Sequence, residues 1–177
     1  MPTLPPISTL PNSPTQTLTQ TLDLLFEPSP TLHTLTLPIL RSTTFPTYSL
    51  LITAVAAQLT NLANANDPAK LQTLDAILSA HPRLGEKKVE SEQSRREQAG
   101  LGEGEGELEA LNRLYEERFG GLRYVVFVNA RPRSEILDDM RARIARGDIH
   151  LERREAIAAM CDIAVDRAGK LQAGDGV

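Results

Sequence analysis

Leu18, Leu22, Leu25 and Phe26 recur at three- and four-residue intervals, and Pro28 and Pro30 close the run. That spacing predicts the first amphipathic helix of the chain. Ahead of it, MPTLPPISTLPNSPTQ carries prolines at 2, 5, 6, 11 and 14. Proline is excluded from helix interiors, so residues 1–16 read as a flexible, extended lead-in. The run from Leu32 to Leu40 fits two elements. Its Leu/Thr alternation suits a strand, Leu32, Leu35 and Ile39 suit a helix, and Pro38 weakens either. From Tyr48, the stripe Leu51, Val55, Leu59 and Leu62 predicts a helix that ends in the turn-forming NANAND. Asp67 then offers an N-cap, with Pro68 at the first helical position. Leu71, Leu74 and Leu78 line the helix that follows, and the next position on that stripe is His81. Pro82 turns His81 away from helical geometry, so the histidine is expected at a helix C-terminus, on the buried side.

Beyond residue 100, GLGEGEGE reads as a low-complexity loop, and Leu108, Leu111, Tyr115 and Phe119 predict a helix stopped by Gly120-Gly121. Tyr124 to Val128, YVVFV, is β-branched and aromatic, but no second convincing strand is available to pair with it. An extended segment between helices is expected there. Ser134 is placed to cap a helix with Ile136, Leu137, Met140 and Ile144 inward and Gly147 at its end. The last helix carries Ile157, Met160, Ala164 and Leu171 on one stripe, and Arg167 falls on the same stripe. Together these elements predict an all-α, single-domain bundle of about six to eight helices with one extended segment. Its expected span is residues 17–172, with a short tail at 173–177.

The 177 residues suffice for one domain with a core, and 41% hydrophobic and 24% charged residues are ordinary for a globular chain. A net charge of −4, with acids interleaved among the C-terminal basic residues, argues against nucleic acid and for a solvated, ion-paired surface. Cys161 is alone, which fits a reducing compartment, and its apolar setting AAMCDIAV marks it as a small core residue rather than a nucleophile. No apolar run approaches the ~20 residues of a membrane span. AGDGV does not match the common C-terminal peroxisomal address. The cytosol is the expected compartment, with the peroxisome left open.

The chemistry concentrates between His81 and Gly100, in HPRLGEKKVESEQSRREQAG. Ser94, Glu97 and Gln98 stand at i, i+3 and i+4, so a helix there would present a hydroxyl, a carboxylate and an amide together. Ser94-x-x-Glu97 is equally a capping box, and both readings stand. A lone histidine on an apolar face is more often structural. Arg167, facing inward, needs either a buried carboxylate or a ligand; a neighbouring acid such as Asp162 or Asp166 would serve, and a ligand is the partner expected. His33, His81 and His150 have no metal-ligand spacing, and HExxH, CxxC, a Walker loop and GxSxG are all missing from the sequence.

HPRLG, SRREQAG, LNRLYEERFG, YVVFV and the Arg167 helix, in that order, resemble the OHCU decarboxylases. These are the 2-oxo-4-hydroxy-4-carboxy-5-ureidoimidazoline decarboxylases of urate breakdown, and the resemblance, to fungal-like members, runs from about Leu18 to Leu171. It implies His81 as the catalytic acid with Glu97 beside it. Substrate would be bound by Pro82, Ser94, Gln98, Arg167 and the backbone of Tyr124, Val125, Val126, Phe127 and Val128. It further implies no metal or organic cofactor, a homodimer, and the small molecule OHCU as substrate, with neither nucleic acid nor membrane as partner. The alternatives are a non-catalytic helical module that binds a ureide or a partner protein, and a purely structural bundle.

Overall fold

The computed structural model describes residues 3–85 and 105–173. Among these residues there is one 3-10 helix, Ile7–Asn12, and there are seven α-helices and no strand. The helices are α1 (Thr15–Leu25), α2 (Pro30–Ser42), α3 (Tyr48–Asn64), α4 (Pro68–Leu78), α5 (Glu105–Arg118), α6 (Arg133–Arg146) and α7 (Ile149–Ala173). The all-α bundle expected from the hydrophobic spacing is the observed architecture.

Most elements form for the reasons the sequence offers. Thr47 caps α3 by accepting from the amide of Leu50, and Asp67 caps α4 by accepting from Ala69 at 2.9 Å. Gly147 ends α6 in the left-handed conformation at φ 64°, which costs a glycine nothing. The Leu32–Leu40 ambiguity resolves as helix α2, because Ser29 caps its start and Pro30 enters the first turn. Its buried line is Leu32, Thr36 and Leu40 rather than Leu32, Leu35 and Ile39. Pro38 is carried inside the helix at the loss of one amide donor.

Two expectations are corrected. Residues 1–16 are not a flexible lead-in throughout: the prolines there are accommodated by a 3-10 turn, whose short hydrogen-bonded pieces tolerate them. Leu4 and Leu10 are buried, and Tyr48 donates its hydroxyl to the Pro5 carbonyl at 2.7 Å, so the segment packs over the bundle. Helix α1 therefore begins at Thr15. Ser134 does not cap α6, which starts one residue earlier, after Pro132, with no side-chain cap.

The long helix α7 is the spine, running against α1, α3 and α4. α5 and α6 pack on one another. Between these two, the chain from 122 to 128 is extended and largely buried, as expected for YVVFV.

Candidate functional site

His81 lies just past the end of α4, and its amide makes a long 3.4 Å bond to the Leu78 carbonyl. It is only 6% exposed. Neither ring nitrogen has a hydrogen-bond partner among the described residues. Burial first, and then the positive charge of Arg167, push the imidazole pKa down from 6.5 to about 3. The free protein thus favours a neutral imidazole, with neither nitrogen engaged among the described residues.

The four residues after His81 are fastened to one face of α5. Arg83 forks onto Glu116 through two 2.6 Å bonds, and the Leu84 carbonyl accepts from Asn112 Nδ2 at 3.0 Å. Gly85 adopts φ 77° and leaves room for Leu108, whose Cδ2 would stand 2.5 Å from any Cβ there. Leu108, Asn112 and Glu116 are four apart, so one stripe of α5 cradles PRLG. Asn112 and Glu116 are not singled out by the apolar spacing of this helix; the signal for Asn112 is a polar residue beside Leu108, Leu111 and Tyr115.

Arg167 is 2% exposed and faces inward, as its stripe predicted. It meets a protein carboxylate, one of the two kinds of partner that its inward placement called for. Nη2 lies 2.8 Å from Glu27 Oε1, and Nη1 donates to the Phe26 carbonyl. Neither Asp162 nor Asp166 fills this role; Asp166 pairs with Lys170 on the surface. Glu27 is itself buried, turned in from the α1–α2 connection. No short-range pattern could have linked Glu27 to Arg167, because they lie at opposite ends of the chain.

Tyr124 to Val128 is held by α6 and by Arg131. The Tyr124 hydroxyl donates to Asp139, the Arg143 guanidinium stacks 5.0 Å from the Tyr124 ring, and Arg131 Nη2 donates to the Phe127 carbonyl at 2.8 Å. From Arg123 to Val128, no backbone N–H finds an acceptor among the described residues. Pro82 follows His81 directly and is half-buried. Ser94, Glu97 and Gln98 lie outside the described residues.

Cys161 is half-buried, and burial, with a smaller contribution from Asp162, raises its thiol pKa to about 12, which leaves it an unreactive thiol. Among the described residues, no group of three or more His, Cys, Asp or Glu could hold a metal ion, and no helix is long and apolar enough to cross a membrane. A buried neutral imidazole under the field of a guanidinium, with an extended segment whose amides find no acceptor among the described residues, suits an anionic ligand that must exchange a proton. The family model described as OHCU decarboxylase matches residues 11–169. Comparison with curated proteins returns no match.

Proposed function

The chain belongs to the OHCU decarboxylase family, a family of carboxy-lyases, and from that premise we propose that it converts OHCU to (S)-allantoin in urate breakdown. The observation that carries this reading is His81, with both ring nitrogens unpartnered among the described residues, and lowered in pKa by burial and then by Arg167. The substrate is a carboxylate on a ring carbon that also bears a hydroxyl. Breaking the C–CO₂ bond sends the electron pair into the adjacent C=N, whose nitrogen takes up a proton. The resulting enol returns to a carbonyl as the neighbouring carbon gains a proton on one face. The sum consumes one proton and releases CO₂, so a proton carrier suffices and no step calls for a metal or organic cofactor.

His81 is the proton donor in this scheme. Its imidazole is neutral in the free protein, so it must take up the reaction's proton from solvent as the substrate binds. A carboxylate entering the field of Arg167 offsets the guanidinium charge and lifts the imidazole pKa. Glu27 holds the Arg167 fork in place for that encounter. The amides of the Tyr124–Val128 segment face the developing negative charge on the ring oxygens. By resemblance, Glu97 holds the imidazole or the substrate N–H groups, while Ser94 and Gln98 fix the hydroxyl and ureido groups. Pro82 keeps the imidazole at the ligand, the enzyme works as a homodimer, and the cytosol is its compartment.

The test adds the protein to freshly oxidised urate and follows circular dichroism. Wild type is expected to produce the (S)-allantoin signal faster than spontaneous decay, which gives a racemate. His81→Asn should lose roughly 10²–10⁴-fold in kcat while keeping its helical content. A wild-type protein that leaves the spontaneous rate unchanged would favour the non-catalytic ureide-binding module, and a His81→Asn variant above about a tenth of wild-type kcat would remove His81 from the acid role.

A further inference from the structure

Two parts of the site come from distant stretches of chain. His81 ends α4, whereas the Tyr124–Val128 segment follows α5. One hydrogen bond joins them directly: Arg123 Nη1 donates to the backbone carbonyl of His81 at 2.9 Å. Arg123 is the covalent neighbour of Tyr124, so this bond fixes the spacing between the imidazole and the extended backbone.

The rest of the local framework does not do this work. The imidazole has no side-chain tie among the described residues, and on the amide side the His81 backbone has only the 3.4 Å bond to Leu78. Arg83, Leu84 and Gly85 are held by α5, which secures the chain after the histidine but not the histidine against the extended segment. A cation at this point also complements the carbonyl end of α4. We propose that Arg123 is a positioning residue for His81, setting the imidazole at a fixed distance from the Tyr124–Val128 backbone. The inference rests on His81 acting as the proton donor. Arg123 touches no reacting atom and acts through His81.

Arg123→Ala and Arg123→Lys test it, with kcat and KM measured on OHCU and the His81 imidazole resonance followed by NMR in the free protein. His81→Asn assigns that resonance. Misplacing a reacting group by a fraction of its working distance costs rate rather than affinity, so Arg123→Ala should lose roughly ten- to a hundredfold in kcat with KM within about threefold. The resonance should move. Lysine can supply the single donor this carbonyl needs, so Arg123→Lys should recover most of kcat and return the resonance toward its wild-type position. Should the alanine variant not fold, Arg123→Met keeps the stem, lacks the donor and gives the same contrast. An alanine or methionine variant with unchanged kcat and an unmoved resonance overturns the proposal, as does a lysine variant as impaired as the alanine one. If wild type does not act on OHCU, the functional reading fails, and the resonance comparison still decides the role of Arg123.

Discussion

The His81 imidazole is subject to opposing influences. It stands at the C-terminal end of α4, where the helix favours a cation by about 0.3–1 kcal/mol, up to ~2 in buried geometries. Burial and Arg167 oppose the cation, and the depression from 6.5 to about 3 corresponds to a cost on the order of 5 kcal/mol. Burial wins, and the group is neutral at rest. The sign of its pH effect follows. Between about pH 6.5 and about 3 the unfolded chain binds a proton that the folded one refuses, so His81 subtracts stability as pH falls through that window and has no such effect above it. The slope is at most about 1.4 kcal/mol per pH unit. Melting curves of wild type and His81→Asn between pH 7 and 4 should therefore diverge, with wild type losing more on acidification. Parallel curves would show that the imidazole is not held neutral. The burial of His81 could be read from the stripe Leu71, Leu74, Leu78, whereas the added push from Arg167 could not, because Arg167 lies far along the chain.

Where one helix face meets one neighbour, the sequence was legible. The stripes of α1, α3, α5 and α7 turned inward as their spacing implied, because period and burial there point the same way. Legibility failed where proline chemistry had two outcomes, as in the 3-10 turn and in α2, and where a contact joined distant elements. Arg167 shows the second case: its inward stripe was plain, but its partner Glu27 sits on the α1–α2 connection. This pair ties α7 to the first turn of the bundle and has a measurable consequence. Removing either charge takes from the other its 2.8 Å partner in a buried setting, so Arg167→Met and Glu27→Gln should each cost roughly 3–5 kcal/mol in urea unfolding. The double variant Arg167→Met/Glu27→Leu should cost less than the two singles combined, since no uncompensated charge remains. If Arg167→Met unfolds like wild type, the arginine is held by something other than Glu27.

At the scale of the whole molecule, the charge-rich C-terminal half is only partly the solvated surface that interleaved acids and bases imply. Arg141 pairs with Glu107 in the open, both about half exposed. Glu152 has no exposure at all. It sits on α7, accepts from the Tyr115 hydroxyl of α5 and from Arg146 of α6 at 2.6 Å, and lies 3.7 Å from Arg143. Arg143 in turn contacts Asp139 and Glu155 at 3.0 Å each and reaches the Val125 carbonyl at 3.5 Å. Three helices thus meet at one buried carboxylate, and Arg143 links it to the extended segment of the proposed site. Composition could not separate Glu152 from Glu107, because the distinction lies in what covers each. Stability should separate them. Glu107→Gln removes an exposed pair and should cost less than about 1 kcal/mol, an amount that added salt erases. Glu152→Gln takes one counter-charge from Arg143 and Arg146, which both keep Glu155, and should cost roughly 1–3 kcal/mol, little changed by salt. Tyr115→Phe removes one donor from a carboxylate that keeps its arginines, so about 1 kcal/mol is expected. Urea unfolding of the three variants at low and high salt measures all of this. Equal losses for Glu152→Gln and Glu107→Gln, or an equal response to salt, would show that the interior network does not hold the C-terminal helices together.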